Sequence, residues 1–261
     1  MKNRVVILGS GAAPGVPSLS DGWGACDSYN IKNRRLRIGT YIEYKGLSIL
    51  IDTSPDLRLQ LLGEKITHLD GVLYTHSHAD HLNGIDDLRE INRITRNSLN
   101  IYGNAEMIKV IRQRFGYLVA EPFCPKNVSN TPSLVPNLIR INKPFFIKNV
   151  KITPLALVGH AASIGFSFDN GELVYISDFK ELAASVFEMI TIQPKLMIFP
   201  LTTMHEHEYH ADLSLILKYI ERFRPEKVII NHMSTECDYD HVNSITPSNV
   251  YPAFDGMEME F

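Results

Sequence analysis

The sequence has few cysteines and no long apolar run, and both absences exclude classes of protein. Its 261 residues include three cysteines, Cys26, Cys124 and Cys237. Such an odd and widely spaced set argues against a disulfide scaffold and is typical of a reducing compartment. No apolar stretch approaches the roughly 20 residues that a membrane-spanning helix needs. The apolar run before Gly9 is too short for a signal peptide. We therefore expect a cytoplasmic protein without a membrane partner.

The chain also lacks a strong excess of charge. It carries 26 Lys and Arg against 29 Asp and Glu, a formal net charge of -3. Without a basic field, nucleic acid is disfavoured as a partner, although it is not excluded. The hydrophobic content of 44% and the charged content of 21% are ordinary for a globular protein. The length suits one large domain or two halves that share a core.

Strand-like and helix-like segments alternate along the whole chain. Strands are predicted at residues 4–8, 40–44, 47–52, 69–74, 100–102, 150–158, 163–168, 172–176, 196–199, 228–230 and within 250–261. Helices are predicted at 55–62, 105–115, 181–190 and 212–223, with a helix start at 84–90. The two strand-then-helix halves favour an α/β (α+β) fold of two mixed sheets with helices outside, in four layers. We expect a single domain over 1–261, with 116–148 as a lid or insertion because it is rich in Pro and Asn.

One short run carries most of the chemical information. Residues 75–81 read Thr-His-Ser-His-Ala-Asp-His, and His76, His78, Asp80 and His81 are all side chains that bind metals. The run follows the predicted strand at 69–74, so it lies on the turn at the strand's carboxyl end. The alternative is a polar turn with solvated histidines. The density of ligand types in six positions favours a metal site.

Three later residues have the same chemistry and a similar location. His160, Asp178 and His232 each follow a buried strand-like run, at the edge where sites on such sheets are built. Alone, each reads as an ordinary loop or capping residue. Together with the earlier run they supply seven ligands, enough for two metal ions that share Asp178.

These ligands and their intervals resemble the metallo-β-lactamase superfamily, whose αββα fold carries H-x-H-x-D-H followed by His, Asp and His. The resemblance covers nearly the whole chain. It implies that one ion is held by His76, His78 and His160, the other by Asp80, His81 and His232, and that Asp178 bridges them. Four stretches are similar to the PhnP-type branch, which includes a phosphoribosyl 1,2-cyclic phosphate phosphodiesterase. They are residues 9–17, 52–58, 84–89 and 232–234.

The resemblance implies a hydrolase with two divalent ions, Zn²⁺ or Mn²⁺, with Fe or Ni also compatible with His and Asp ligands. We expect attack of a metal-bridging hydroxide, oriented by Asp80, on a small or cyclic phosphodiester. One alternative is a nuclease of the tRNA 3′-processing type, and thioester or lactam hydrolysis is another. A further alternative is a non-catalytic metal- or cofactor-binding protein on the same fold. The oligomeric state is not fixed by the sequence, and a homodimer stays open.

The chain lacks one set of metal ligands that is found in the phosphonate-pathway enzyme of this branch. The phosphonate-pathway enzyme has a separate structural zinc site built from clustered cysteines and a late histidine. Here Cys26 stands without the other cysteines, and Thr235 occupies the late position. We therefore expect no separate structural zinc, which leaves the substrate open.

A leaving alkoxide needs a proton, and the segment 205–212 offers three histidines before a helix. The resemblance favours His210 as the general acid. A solvated loop is an equally good reading of His205 and His207, with Asp212 as a helix N-cap.

Four other features surround the predicted site. Asp52, which ends a buried strand, is a better candidate than Asp86 to hold a ligand histidine from behind, and Asp86 pairs more naturally with Arg89. The glycine-rich stretch 9–15 superficially suggests a dinucleotide loop, but Pro14 and the lack of a following helix favour a shaped loop beside the site. The basic run at 32–37 is typical of a solvated face, or it attracts a second substrate phosphate.

Overall fold

The structure, a computed structural model, describes residues 3–119, 134–159 and 162–261. The strands in these ranges are β1 (Arg4–Gly9), β2 (Gly39–Tyr44), β3 (Leu47–Ile51), β4 (Gly71–Leu73), β5 (Leu99–Gly103), β6 (Leu134–Leu138), β7 (Phe145–Ile147), β8 (Val150–Val158), β9 (Ile164–Phe168), β10 (Leu173–Tyr175), β11 (Glu181–Leu182), β12 (Leu196–Pro200), β13 (Lys227–Asn231), β14 (Val250–Pro252) and β15 (Met257–Glu260). The helices are α1 (Leu57–Gly63), α2 (Ala79–Leu82), α3 (Leu88–Thr95), α4 (Ala105–Phe115), α5 (Val186–Met189), α6 (Leu213–Phe223) and α7 (Tyr239–Ile245).

The strands form two mixed sheets. The first has the order β15-β1-β2-β3-β4-β5-β6, and the second β11-β8-β9-β10-β12-β13-β14, with β7 also paired to β8. Strand β1 shows how the first sheet is buried on both faces. Val5 and Ile7 contribute to the core that joins the two sheets, whereas Val6 and Leu8 face the opposite side, under helices. This is the expected period of two in a strand covered on both faces.

Helices cover the outer faces. Leu57 of α1, Ile91 of α3 and Met107 of α4 pack in the cluster on the outer side of the first sheet. Ile216 of α6 and Val242 of α7 belong to the other cluster, which joins the two sheets and includes residues of β12 and β13. The predicted four-layer αββα arrangement is therefore confirmed. No helix within the described ranges is long and apolar enough to cross a bilayer.

Local capping sets the helix starts. The Asp212 side chain accepts from the backbone N–H of Leu215, as its predicted N-cap role requires. Asn104 caps α4 and Asp238 caps α7 in the same way. Each cap satisfies an otherwise unpaired N–H at a helix start and is worth about 1 kcal/mol. The cap of α6 also fixes where the loop that carries His210 ends.

The helix predicted at 181–190 is wrong over its first half. Residues Glu181 and Leu182 form the short strand β11, which pairs antiparallel with Val158 and Leu157 of β8. The helix α5 begins only at Val186. Strand pairing at the edge of the sheet outweighs the helical propensity of this Glu-Leu-Ala-Ala stretch, because propensity is a weak preference that tertiary contacts override.

Two other predicted segments differ in detail. A short helix, α2, already begins at Ala79, before the helix start predicted at 84–90, so Asp80 and His81 lie on its first turn. In the predicted lid or insertion at 116–148, β6 pairs with β5 and β7 pairs with β8, so these two parts extend the sheets. Residues 120–133 of that stretch lie outside the described residues. A lid role for it stays a prediction.

Candidate metal centre

The carboxyl ends of three strands bring the predicted ligands to one edge of the molecule. In the second sheet β10, β12 and β13 run parallel, so the residues that follow β10 and β13 lie at the same edge. Asp178 follows β10 and His232 follows β13 directly. In the first sheet β4 is parallel to β3 and β5, and His76 follows it. Asp178 and His232, far apart in sequence, therefore converge because β10, β12 and β13 share a direction.

Six of the seven predicted ligands form two groups. The first group is His76, His78 and Asp178, and the second group is Asp80, His81 and His232. Within each group the candidate ligand atoms all lie within 4.8 Å of one another. The seventh predicted ligand, His160, lies outside the described residues.

Asp178 faces both groups. Its Oδ2 atom lies 4.0 Å from Nε2 of His76 and 3.9 Å from Nε2 of His81. Its Oδ1 atom lies 3.5 Å from Nδ1 of His232. One carboxylate thus stands between the imidazoles of both groups, which is the arrangement that a bridging ligand needs.

The two groups differ in exposure. In the second group His81 exposes 1% of its surface, His232 3% and Asp80 5%. His76 is also buried, whereas His78 is exposed at the rim. The one exposed side chain among these six is therefore His78, in the first group.

Contacts behind the ligands fix their direction. Asp52 accepts from the Thr75 backbone N–H at 2.8 Å and from its hydroxyl at 2.7 Å, and it lies 2.7 Å from Nδ1 of His81. A carboxylate at Nδ1 keeps the proton on that nitrogen and turns Nε2 toward the metal position. Asp52 adopts a left-handed backbone conformation, with φ of 62°. The prediction that Asp52 supports a ligand histidine agrees with this geometry.

Asp86 has a different environment. It accepts from the Tyr117 hydroxyl at 2.9 Å and lies 3.6 Å from the Arg89 guanidinium, and half of its side chain is exposed. Its role is local structure, as the pairing with Arg89 predicts.

A second supporting contact was missed at the level of sequence. The hydroxyl oxygen of Thr202 lies 3.0 Å from Nδ1 of His232. Thr202 follows β12, which ends at the same edge as β10 and β13. Its place after a strand was the available signal, but a hydroxyl in a loop carries little weight without the contact.

The carboxylates are held in their ionised form. Burial opposes ionisation of Asp80, but the charge of His81 and the hydrogen bond from His232 outweigh it and hold the pKa of Asp80 well below its usual range. Burial likewise opposes ionisation of Asp178, and the neighbouring His232 and His81 nevertheless lower its pKa. Ionised carboxylates are the form that binds a cation.

The pKa values of two buried histidines, His76 and His81, are shifted in opposite directions. Burial, reinforced by the charge of His81, lowers the pKa of His76 far below its ordinary value, so this imidazole is neutral. Burial acts the same way on His81, but Asp80 and Asp52 together raise its pKa. The surplus of negative charge around His81 favours a cation at this place. The donor set therefore fits a pair of divalent ions bound by nitrogen and oxygen ligands.

The histidine-rich loop lies next to Asp178. The backbone N–H of Ala211 donates to the carbonyl of Phe179 at 2.8 Å, which ties the residue after His210 to the residue after Asp178. The rings of His207 and His210 are 5.1 Å apart. His205 is exposed, and its backbone N–H donates to the Thr203 hydroxyl. The general-acid role of His210 stays a prediction.

The glycine-rich stretch forms a shaped loop beside the site, as expected. The N–H of Met233 donates to the carbonyl of Ser10 at 2.8 Å, and the N–H of Ala12 donates to the carbonyl of Met233 at 3.1 Å. A Cβ atom on Gly9 would lie 2.0 Å from the carbonyl oxygen of Arg37, so the close backbone approach requires glycine here.

The basic run is not a uniform solvated face. Arg35 is buried, which corrects that expectation for this residue, because its side chain donates to the backbone carbonyls of Ser234 and Cys237. Arg37 forms a two-point ion pair with Asp56, with distances of 2.6 Å and 2.9 Å. Lys32 lies over the ring of Tyr239. Arg34 is exposed and lies over the ring of Trp23.

The sequence matches the family described as beta-lactamase superfamily domain over residues 48–233. The chain belongs to this superfamily, whose members on this fold are mostly metal-dependent hydrolases. The resemblance drawn from the ligand motif is thus confirmed.

Three known proteins are similar to this chain over almost its whole length. The chain is similar to a diphosphatase of the PhnP family, with a TM-score of 0.87 and 26% identity, covering 100% of this chain and 98% of that one. It shares its fold with Zn²⁺-bound PqqB from Methylobacterium extorquens, with a TM-score of 0.73, 16% identity and coverage of 99% and 100%. It is also 32% identical over 260 residues to an octanoyltransferase of Porphyromonas gingivalis strain W83, covering 98% of this chain. The chain spans about half of that relative, 51% of its length.

Proposed function

We propose that this protein is a dinuclear metal-dependent hydrolase that cleaves a phosphodiester or diphosphate bond in a small substrate, with Zn²⁺ or Mn²⁺ as its ions. The observation that carries the proposal is Asp178, a buried carboxylate that faces two groups of His and Asp ligands at once. The similarity to a PhnP-family diphosphatase along the whole chain supports the substrate class. His160 completes the first group in this proposal.

The ions, when bound, would lower the pKa of a water molecule and neutralise charge on the phosphoryl oxygens. The chain's own residues orient the water, supply a proton to the leaving group and position the ligands. Asp80, held ionised, accepts a hydrogen bond from the attacking water and orients it toward phosphorus. His210 donates a proton to the leaving oxygen. Asp52 and Thr202 keep the ligand imidazoles of His81 and His232 in one orientation.

A second candidate is hydrolysis of an acyl thioester. It is favoured by the name of the Porphyromonas gingivalis relative, an octanoyltransferase. The shared half accounts for only 51% of that protein, so its acyl chemistry does not transfer to this chain on similarity alone. The same site can present water to a carbonyl carbon as well as to phosphorus, which makes an octanoyl thioester a necessary arm of any substrate panel.

The test is a substrate panel on protein with measured metal content. Purified chain loaded with Mn²⁺ or Zn²⁺ is assayed on bis(p-nitrophenyl) phosphate, a cyclic phosphodiester, a nucleoside diphosphate, a tRNA precursor and an octanoyl thioester. We expect turnover of the small phosphorus esters or anhydrides, and its loss in His76→Ala. The exposed His68→Ala, whose ring lies by Asp70, serves as the matched control and retains full activity. Two bound ions per chain without turnover of any phosphorus substrate would sink the proposal, and turnover of the thioester alone would favour the second candidate.

A further inference from the structure

A buried arginine lies against the segment that follows His232. Arg35 exposes 3% of its surface, although a guanidinium is among the most costly groups to bury. Its hydrogen-bond acceptors among the described residues are neutral. Nη1 donates to the carbonyl of Ser234 at 3.0 Å, and Nη2 donates to the carbonyl of Cys237 at 2.7 Å. Burial lowers the pKa of Arg35 from its ordinary value, so the charge is held there at a cost in free energy.

This cost suggests a role in specifying one backbone arrangement. A buried charge is weak evidence for stability, because apolar groups of similar size often stabilise a core better. A planar guanidinium can instead fix two carbonyls at once, since its N–H groups form a rigid fork. The two carbonyls that Arg35 holds belong to residues three positions apart in one short segment.

That segment needs external support. His232 has a left-handed backbone conformation, with φ of 55°, which is unfavourable for a residue with a Cβ atom. On one side, Met233 bonds the backbone of Ser10 and Ala12, the continuation of β1. On the other side, Arg35 holds the carbonyls of Ser234 and Cys237. The direction of the His232 side chain therefore depends on contacts made by the residues that follow it.

Asn33 extends this support. Its Oδ1 atom accepts from Nη2 of Arg35 at 2.9 Å and from the backbone N–H of Tyr239 at 2.8 Å. Its Nδ2 group donates to the Asp238 carboxylate at 2.7 Å. Asn33 is itself fully buried. The pair formed by Asn33 and Arg35 thus connects the segment between β1 and β2 to Ser234, Cys237 and the first residues of α7.

We propose that Arg35 is a positioning residue for the second group: by holding the carbonyls of Ser234 and Cys237, it keeps His232 directed toward Asp80. The Nε2 atom of His232 lies 3.2 Å from Oδ2 of Asp80. The inference rests on the metal site of the proposed function. It assigns Arg35 no contact with substrate. His76 and His78 lie on a different loop, so loosening Arg35 affects the second group and leaves the first unchanged.

The experiment is a zinc titration of metal-free protein, which reads binding and not turnover. Arg35→Lys keeps a positive charge but replaces the planar fork by a single ammonium. Asn33→Ala removes the acceptor behind Arg35 and serves as the gentler second variant. The exposed neighbour Arg34→Ala is the control. In wild type and control we expect two zinc ions per chain. In Arg35→Lys and Asn33→Ala the affinity of one site falls by about 10- to 100-fold, the range found when support behind a ligand is lost, while the other site is unchanged.

A merely structural role gives a different result. Arg35→Lys would then lower the melting temperature and weaken both zinc sites together. That outcome, or wild-type affinity at both sites in both variants, would overturn the inference. If Arg35→Lys does not fold, Asn33→Ala decides by the same criterion. Failure of the proposed function can be told apart from failure of this inference. A wild-type protein that binds two zinc ions without turnover refutes the proposed reaction, and the zinc titration of the variants still tests the role of Arg35. A wild type that binds fewer than two ions refutes both.

Discussion

The two ligand groups are built differently although they share a carboxylate. The first group has the exposed His78 at the rim. The second group is enclosed, and its histidines are held from behind by Asp52 and Thr202. Supported and buried ligands are preorganised, whereas an open position admits water and substrate. We therefore propose that the enclosed group holds its ion in fixed geometry and that the reacting molecule enters beside the open group.

The largest effect is expected where the two groups meet. Asp178→Asn removes the charge that both groups share, so we expect both ions to be lost or displaced. Turnover should fall by more than ~10⁴-fold, because water without metal has a pKa far above neutral. Metal analysis together with a rate measurement checks this. Retention of two ions and of ordinary rates would show that Asp178 does not link the groups.

A change outside both groups separates metal binding from proton transfer. His210→Ala should leave two ions bound and lower turnover by ~10²- to 10⁴-fold, the usual contribution of a general acid. The defect should shrink on substrates with a good leaving group such as p-nitrophenolate, since that group needs no proton. His205→Ala, on the same loop and exposed, is the matched control. Equal losses in the two variants would contradict the assignment of His210.

Loss of the carboxylate behind His81 should affect the second group more than the first, because Asp52 contacts His81 directly and reaches His76 only through the Thr75 hydroxyl. Asp52→Asn replaces an acceptor at Nδ1 by an amide that binds this nitrogen more weakly, so the affinity of the second group should fall by about 10- to 100-fold. Asp86→Asn is the matched control, because Asp86 bonds Tyr117 at the surface. Zinc titration of the metal-free variants measures both sites. An equal loss at both sites would mean that the groups are not separately supported.

The smallest effect is expected from the hydroxyl behind His232. Thr202→Val removes one hydrogen bond of about 1 kcal/mol, which corresponds to about a fivefold loss of affinity at the second group. Thr95→Val, whose hydroxyl bonds the Ile91 carbonyl on α3, tests for nonspecific effects of the substitution. Competition against a chelator resolves a change of this size. No change in Thr202→Val would remove Thr202 from the support of the enclosed group.

Much of the site could be predicted because its ligands occupy positions with a local signal. His76 to His81 form one dense run, and Asp178 and His232 each follow a buried apolar strand. Since parallel strands end at a common edge, position after a strand predicts convergence without knowledge of the distances. The fold of two sheets with helices outside could be predicted because strand-like and helix-like segments alternate along the chain.

The remainder depends on contacts between distant segments, which leave no local signal. Arg35 stands in a run of charges that usually lies in solvent, yet it is buried through carbonyls about 200 residues away in sequence. Thr202 is an ordinary loop residue until His232 is brought beside it. The strand at Glu181 forms because β8 offers an edge, and the local sequence favours a helix. In each case tertiary contact decides the outcome.

The most direct test of a shared two-metal site is turnover measured during metal titration. Metal-free protein is titrated with Mn²⁺ or Zn²⁺ while hydrolysis of bis(p-nitrophenyl) phosphate and bound metal are both recorded. If both groups cooperate through Asp178, activity stays low through the first equivalent, rises with the second and saturates at two ions per chain. Saturation of activity at one ion per chain, or two bound ions with no turnover, would contradict a shared two-metal site.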